Sequence, residues 1–254
     1  MPERTAVEAA WDREYEYGRY RLSAPLAFVD DIITAAGNAG LMGSSALYIG
    51  CGNGRNFVPL VDAGLDLVGL DVSTIAISQL RARLPDRADR LIHGDLSSLP
   101  PDTRFGCVVA IQVFQHGDGP TARAHIERAK ELVQPGGIIA IRVNATQTEL
   151  EYRHDLVETE PASGYTVRYR EGPKEGLLVH FFDPEELASL FVERFEVNLP
   201  LRLDTAERTA PSTGSWSQWE GIWRRRAPSS SPPDIASATP ADRSAPDSNR
   251  PAPP

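Results

Sequence analysis

The chain has 254 residues, 41% of them hydrophobic and 24% charged, with a formal net charge of −9. That length can bury one full core, and the acidic balance argues against a nucleic-acid partner, which needs a basic surface to displace counterions from phosphates. Two cysteines make no disulfide framework, the five histidines fall in no zinc-ligand spacing, and no apolar run has the length of a membrane span.

The expected setting is therefore the cytoplasm, with no metal and no membrane. A monomer and a homodimer are equally compatible with the composition. The charged start, with Glu3, Arg4, Glu8 and Asp12, does not read as a secretory signal.

In chain order, an N-terminal stretch carrying Trp11, Asp12, Tyr15, Gly18, Arg19 and Tyr20 precedes the first apolar strand at residues 46–49. That strand breaks into Gly50-Cys51-Gly52-Asn53-Gly54, followed by a short helix and a second strand ending on Asp71. Ile77, Leu80 and Leu84 mark a helix face, and residues 90–93 form a third strand ending at Gly94-Asp95. Residues 105–111 are a nearly continuous apolar fourth strand, as expected where both sheet faces are covered. Ala122, Ile126, Ala129 and Val133 give the next helix its inner face, stopped by Pro135-Gly136-Gly137, and residues 138–143 are the fifth strand. A connection of unusual length covers 144–182, in which a helix over 149–157 precedes a hairpin of 165–170 against 177–181. Asp183-Pro184-Glu185-Glu186 signs a helix start, and two strands near 195–203 and 216–224 complete the pattern. After Arg226 the composition turns to Pro, Ser and Ala, so residues 227–254 read as a disordered tail. Alternation of this kind predicts an α/β fold: a doubly wound, mostly parallel seven-stranded sheet with helices on both faces and an antiparallel last strand.

The glycine run, its helix and the acid at the end of the second strand have the layout of a nucleoside-cofactor site. A dinucleotide turn wants a small residue at the position held by Arg55, and here the third glycine comes one residue early, at Gly54. The G-x-G-x-G spacing, with Asp71-Val72 after the second strand, Gly94-Asp95-Leu96 after the third and Ile111-Gln112 after the fourth, resembles the S-adenosyl-L-methionine site of class I methyltransferases. The resemblance covers roughly residues 46–143. It departs from the family in having Phe105-Gly106 where an aspartate often follows the phenylalanine.

The resemblance implies a methyltransferase domain over 1–226, with residues 1–40 a helical lid and 144–182 an insert over the acceptor. It implies S-adenosyl-L-methionine held by Gly50, Cys51, Gly52, Asn53, Gly54, Asn56, Asp71, Val72, Asp95, Leu96, Ile111, Gln112 and Arg19. The implied reaction is methyl transfer to O, N or S of a small molecule. The alternatives are thiol-type detoxification or a non-catalytic cofactor-binding protein. The base-amine motif of DNA methyltransferases and the paired loop glutamates of arginine methyltransferases are both missing, which leaves a small-molecule acceptor. Tyr15, Tyr20, His154, Tyr165 and His180 are candidates to contact it, although His180 also reads as a packed strand histidine. His116 is the candidate general base, its alternative being a structural histidine in the turn after the fourth strand. For Trp216, Trp219 and Trp223 sheet packing is the first reading and acceptor stacking the second.

Overall fold

The computed structural model describes residues 6–18, 20, 23–159 and 163–227. Arg19 and the tail from 228 onward therefore lie outside the described residues. The strands are β1 (Ser45–Ile49), β2 (Asp66–Asp71), β3 (Leu91–His93), β4 (Phe105–Ile111), β5 (Val133–Asn144), β6 (His154–Thr159), β7 (Tyr165–Tyr169), β8 (Leu178–Phe181), β9 (Phe195–Glu207) and β10 (Ser215–Arg225). The helices are α1 (Ala6–Glu16), α2 (Phe28–Asn38), α3 (Phe57–Asp62), α4 (Thr74–Arg83), α5 (Gly119–Glu131) and α6 (Pro184–Ser189).

Seven strands form one sheet in the order β3-β2-β1-β4-β5-β10-β9. The first five run parallel, and β10 lies antiparallel to both β5 and β9. This is the expected fold class. Successive residues of the apolar β4 serve opposite faces: Val109 joins a cluster with Tyr48, Phe28, Ile32, Leu60 and Leu80, while Val108 joins one with Leu47, Ile126, Leu187 and Phe191. Helices α2, α3 and α4 cover the first face, and α5 and α6 cover the second. The strand order reverses between β1 and β4, which opens a crevice above their carboxyl ends.

Local chemistry explains the helix starts. Ser73, Asp118 and Asp183 each occupy an N-cap in extended conformation and accept a backbone N–H from the first turn. In α5 the helix ends at Glu131, and Val133 instead opens β5 beside Phe105. Glu186, at the N3 position of α6, has the spacing for a capping box but turns away to meet Arg123 at 2.7 Å and His180 at 3.1 Å.

The insert differs from its expectation at one element. Residues 154–159 are strand β6, not part of a helix, and pair with β7 through His154↔Tyr169, Asp155↔Arg168 and Leu156↔Val167. A single isolated turn or two of helix is marginal, whereas β7 offers this segment a full ladder of backbone partners. The β7–β8 hairpin forms as expected, and the three strands make a separate small sheet. It is fastened to the turn after β4 by Gly117 N–H to Leu178 O (3.0 Å) and His180 N–H to Gln115 O (2.8 Å). Glu158 adds a third tie by accepting the Gly119 N–H and the Thr166 hydroxyl, each at 2.9 Å.

The N-terminal stretch divides in two. α2 is a core helix, with Phe28, Ile32 and Ala36 fully buried against the sheet. Only α1 lies over the strand ends, docked on the start of α4. Its Asp12 carboxylate accepts the Ser73 hydroxyl at 2.6 Å and the Ile75 N–H at 3.1 Å, and its Tyr15 carbonyl accepts Gln79 Nε2 at 3.1 Å.

A buried ion cluster sits inside the sheet layer. Arg142 of β5 is 6% exposed and donates to Glu220, Gln218 and Asp204, while Glu220 (3% exposed) also takes Arg202. A buried ion is tolerated only when its partners are complete, and removing one partner typically costs about 3–5 kcal/mol. Glu220→Ala is therefore expected to lower unfolding stability by roughly that amount in urea titration. A loss below about 1 kcal/mol, the size of a surface pair, would contradict this account of the cluster.

Candidate functional site

The crevice holds a cavity of about 530 Å³. Its floor is the loop after β1. There Gly50 (φ +68°) and Gly52 (φ +54°) adopt left-handed conformations that favour glycine. A Cβ on Gly50 would come within 2.9 Å of Val113 Cγ2, and one on Gly52 within 2.5 Å of the Tyr15 hydroxyl. The loop is thus held open on one side and pressed against α1 on the other. Gly54 does different work: it does not line the cavity, and its own Cβ would meet Leu80 Cδ1 at 2.5 Å. It lets α4 pack closely.

The loop's first amides are already used. Gly50 and Cys51 N–H both donate to Leu70 O (2.7 and 3.1 Å), and Gly52 N–H donates to Asp71 Oδ2 at 2.7 Å. Asp71 Oδ1 accepts Ser73 N–H at 2.8 Å. Each carboxylate oxygen keeps a further lone pair, and the residue is 8% exposed on the cavity wall. Burial raises the Asp71 pKa above the ordinary carboxylate value, against the lowering effect of the Ser73 and Gly52 N–H bonds. At the other end Asp95 caps the turn Leu96–Ser98, accepting Ser97 N–H (2.8 Å) and the Ser97 hydroxyl (2.5 Å) with Oδ1. Those bonds lower its pKa. Among the described residues, Asp71 and Asp95 are the carboxylates on the cavity wall, and Arg55 and Arg128 its guanidinium cations.

The third wall is the end of β4. Gln112 has φ +59°, which costs a non-glycine residue on the order of 1 kcal/mol, and it is held by its N–H to Arg142 O at 2.7 Å. This turn sets Val113 against Gly50 and brings His116 into the cavity beneath α1. The His116 ring meets Trp11 edge-on, with centroids 5.0 Å apart. Tyr20 lies 5.4 Å from the Arg55 guanidinium, whose Nε donates to Ala24 O.

The structure brings Gly50, Cys51, Gly52, Asn53, Asn56, Asp71, Val72, Asp95, Leu96, Ile111 and Gln112 to this one cavity, together with His116, Tyr15 and Tyr20. It does not bring His154, Tyr165 or His180 there. His154 is exposed and bonds the Tyr152 carbonyl, and Tyr165 stacks on Phe181 at 5.0 Å. His180 is 1% exposed, with Thr166 Oγ1 on one nitrogen (2.9 Å) and Glu186 on the other. Sequence reasoning missed Tyr48, Arg55, Thr121, His125 and Arg128 on the cavity wall. The last three recur at i, i+4 and i+7 on α5, a spacing that marks one helix face. The Cys51 thiol is buried and its pKa is pushed well up by desolvation, so it stays a thiol at neutral pH.

A family profile described as a methyltransferase domain matches residues 46–137. A probable S-adenosylmethionine-dependent methyltransferase of Mycolicibacterium smegmatis is 31% identical over 39% of this chain and 37% of its own length. An uncharacterized methyltransferase of Mycobacterium bovis is 31% identical over 61% of this chain and 59% of its own length. The chain thus spans between about a third and three fifths of these curated relatives. The solved 1,6-didemethyltoxoflavin-N1-methyltransferase of Burkholderia thailandensis superposes with a TM-score of 0.59 at 17% identity, covering 87% of each chain, a likeness of fold. Residues 46–137 thus match a methyltransferase domain, and the sheet built around them has the Rossmann-like fold of solved methyltransferases.

Proposed function

We propose that the chain is a methyltransferase that uses S-adenosyl-L-methionine bound in the crevice cavity to methylate O, N or S of a small molecule. The observation that carries this reading is the placement of Asp71. A half-satisfied, buried carboxylate at the carboxyl end of β2 suits a vicinal diol, which donates two hydroxyls. The donor set around it fits the rest of such a cofactor: the Asp95 carboxylate for an exocyclic amine, apolar Val72, Leu96 and Ile111 for a purine ring, and the Arg55 guanidinium for a carboxylate. When bound, the cofactor supplies a methyl group activated on a sulfonium.

The chain's own residues then have positioning to do. Trp11, Tyr20, Val113 and His116 line the cavity on the side of α1 and the turn after β4. This arrangement excludes water and orients an acceptor for in-line attack, which supplies much of the acceleration. His116 receives the acceptor's proton where one must leave. A small-molecule acceptor agrees with the acidic composition and with the small-molecule substrate of the Burkholderia relative of the fold.

S-adenosylhomocysteine at a hundred times its dissociation constant should stabilise the protein by about 2.7 kcal/mol in a thermal-shift assay, with NAD giving no shift. Asp71→Ala should abolish that shift, and affinity should fall as pH drops through the raised Asp71 pKa, because the diol needs the ionised carboxylate. A shift with NAD and none with S-adenosylhomocysteine would overturn the reading. For His116, the expected result of His116→Gln is a kcat loss of at least about 100-fold with the acidic limb of the pH profile removed and cofactor affinity retained. Unaltered turnover at saturating substrates would remove His116 from the mechanism.

A further inference from the structure

A second cavity, of about 400 Å³, opens at the carboxyl end of β5 between the small sheet and the β9–β10 hairpin. None of its walls is shared with the crevice cavity. Its surfaces are aromatic: Tyr152, Tyr169, Phe181 and Trp216 all line it, with Tyr152 and Tyr169 edge-on at 6.4 Å. Glu151 and Glu207 are balanced by Lys174 and Arg208, so the lining carries no formal net charge. Arg208 is occupied by the Thr213 and Glu149 carbonyls and stands 3.6 Å from Glu151. Burial pushes the Tyr169 phenol up to about 12, so it stays neutral at physiological pH.

The deepest polar group is Asn144, 2% exposed. The orientation of its amide follows from a chain of donors. Arg142 can only donate, so the Gln218 atom it touches must be the carbonyl oxygen, Oε1. Gln218 therefore presents Nε2, which donates to Asn144 Oδ1 at 3.1 Å. Trp216 Nε1, also donor-only, reaches the same Oδ1 at 3.3 Å. With Oδ1 occupied twice, Asn144 has its Nδ2 hydrogens to offer, and among the described residues nothing accepts them.

We propose that this second cavity is a binding site for a neutral, planar aromatic group that directs one hydrogen-bond acceptor, such as a ring carbonyl, at Asn144 Nδ2. The rings of Tyr152, Tyr169 and Trp216 supply faces and edges for the flat body, and Asn144 supplies its orientation. A strongly anionic or cationic ligand gains nothing from the balanced rim and loses its hydration. The site goes beyond the methyl-transfer reading and does not depend on what fills the crevice.

The full chain is titrated calorimetrically with three probes: coumarin and 4-quinolone, which carry a ring carbonyl, and naphthalene, which has the same outline without one. Both carbonyl probes should saturate below about 1 mM and bind at least about tenfold more tightly than naphthalene, the size of one hydrogen bond left unmade. Asn144→Asp, which keeps the shape and removes the donors, should erase that tenfold preference. Tyr152, at 36% exposure, can be replaced without disturbing the core, and Tyr152→Ala should weaken all three probes. Each titration is repeated with saturating S-adenosylhomocysteine, which should leave the affinities unchanged. No saturable binding, equal affinity for naphthalene and coumarin, indifference to both substitutions, or displacement by S-adenosylhomocysteine would each overturn the proposal. Failure of S-adenosylhomocysteine to bind at all would instead count against the methyl-transfer reading and leave the probe titrations readable.

Discussion

The molecule's crevice depends on the carboxylate of Asp71. It sits where three segments must meet: the end of β2, the loop leaving β1 and the start of α4. By accepting Gly52 N–H with one oxygen and Ser73 N–H with the other, it fixes the loop and the helix relative to each other. Ser73 passes the constraint on, since its hydroxyl caps α4 and donates to Asp12 of α1. One buried acid therefore sets the loop's curvature, the helix's origin and the docking of the helix above. Its desolvation, which raises its pKa, is the cost of that position.

Much of this was legible in the sequence because it rests on short-range rules. Strand β4 reads as a strand from its apolar run, Asp183 as an N-cap from its neighbours, and the Gly50 loop and Asp71 as neighbours at adjacent strand ends from spacing. What was not legible rests on long-range choices. Residues 154–159 carry no decisive local preference, and β7 decides that they extend. Glu186 has the spacing for a capping box, but Arg123 and His180 across the interface attract it more strongly. Asp12 looks like an ordinary surface acid in a charged N-terminus, yet it is 4% exposed because Ser73 and Ile75 come to it from 61 and 63 residues away. His180 was open to two readings, and its burial between Thr166 and Glu186 supports the structural one.

The carboxyl edge of the sheet is covered by two unrelated pieces of chain. α1 covers the ends of β1, β2 and β4, while the small sheet and the β9–β10 hairpin cover the end of β5. The strained Gln112 stands at the division, its amide bonded to the Arg142 carbonyl on the neighbouring strand. Two consecutive strand ends consequently face different surroundings: over β4 the cavity that holds Asp71, Asp95 and His116, and over β5 the one that holds Asn144, Tyr152, Tyr169 and Trp216. The tryptophans of β10 follow the same division. Trp223 stacks on Phe191 at 4.0 Å in the core, Trp219 donates to the Phe182 carbonyl, and Trp216 lines the second cavity.

The row from Arg142 through Gln218 to Asn144 has a direction, because every hydrogen in it points the same way along the row. A guanidinium cannot reverse its role, so it imposes a sense on the two amides that follow, which by themselves could face either way. Information about polarity is thereby written in the middle of the sheet and read at its rim, two side chains removed. The hydrogen-bond character of the aromatic cavity's floor is inherited from a residue that never touches it. In this fold, the identity of a buried cation governs what a distant neutral surface can recognise.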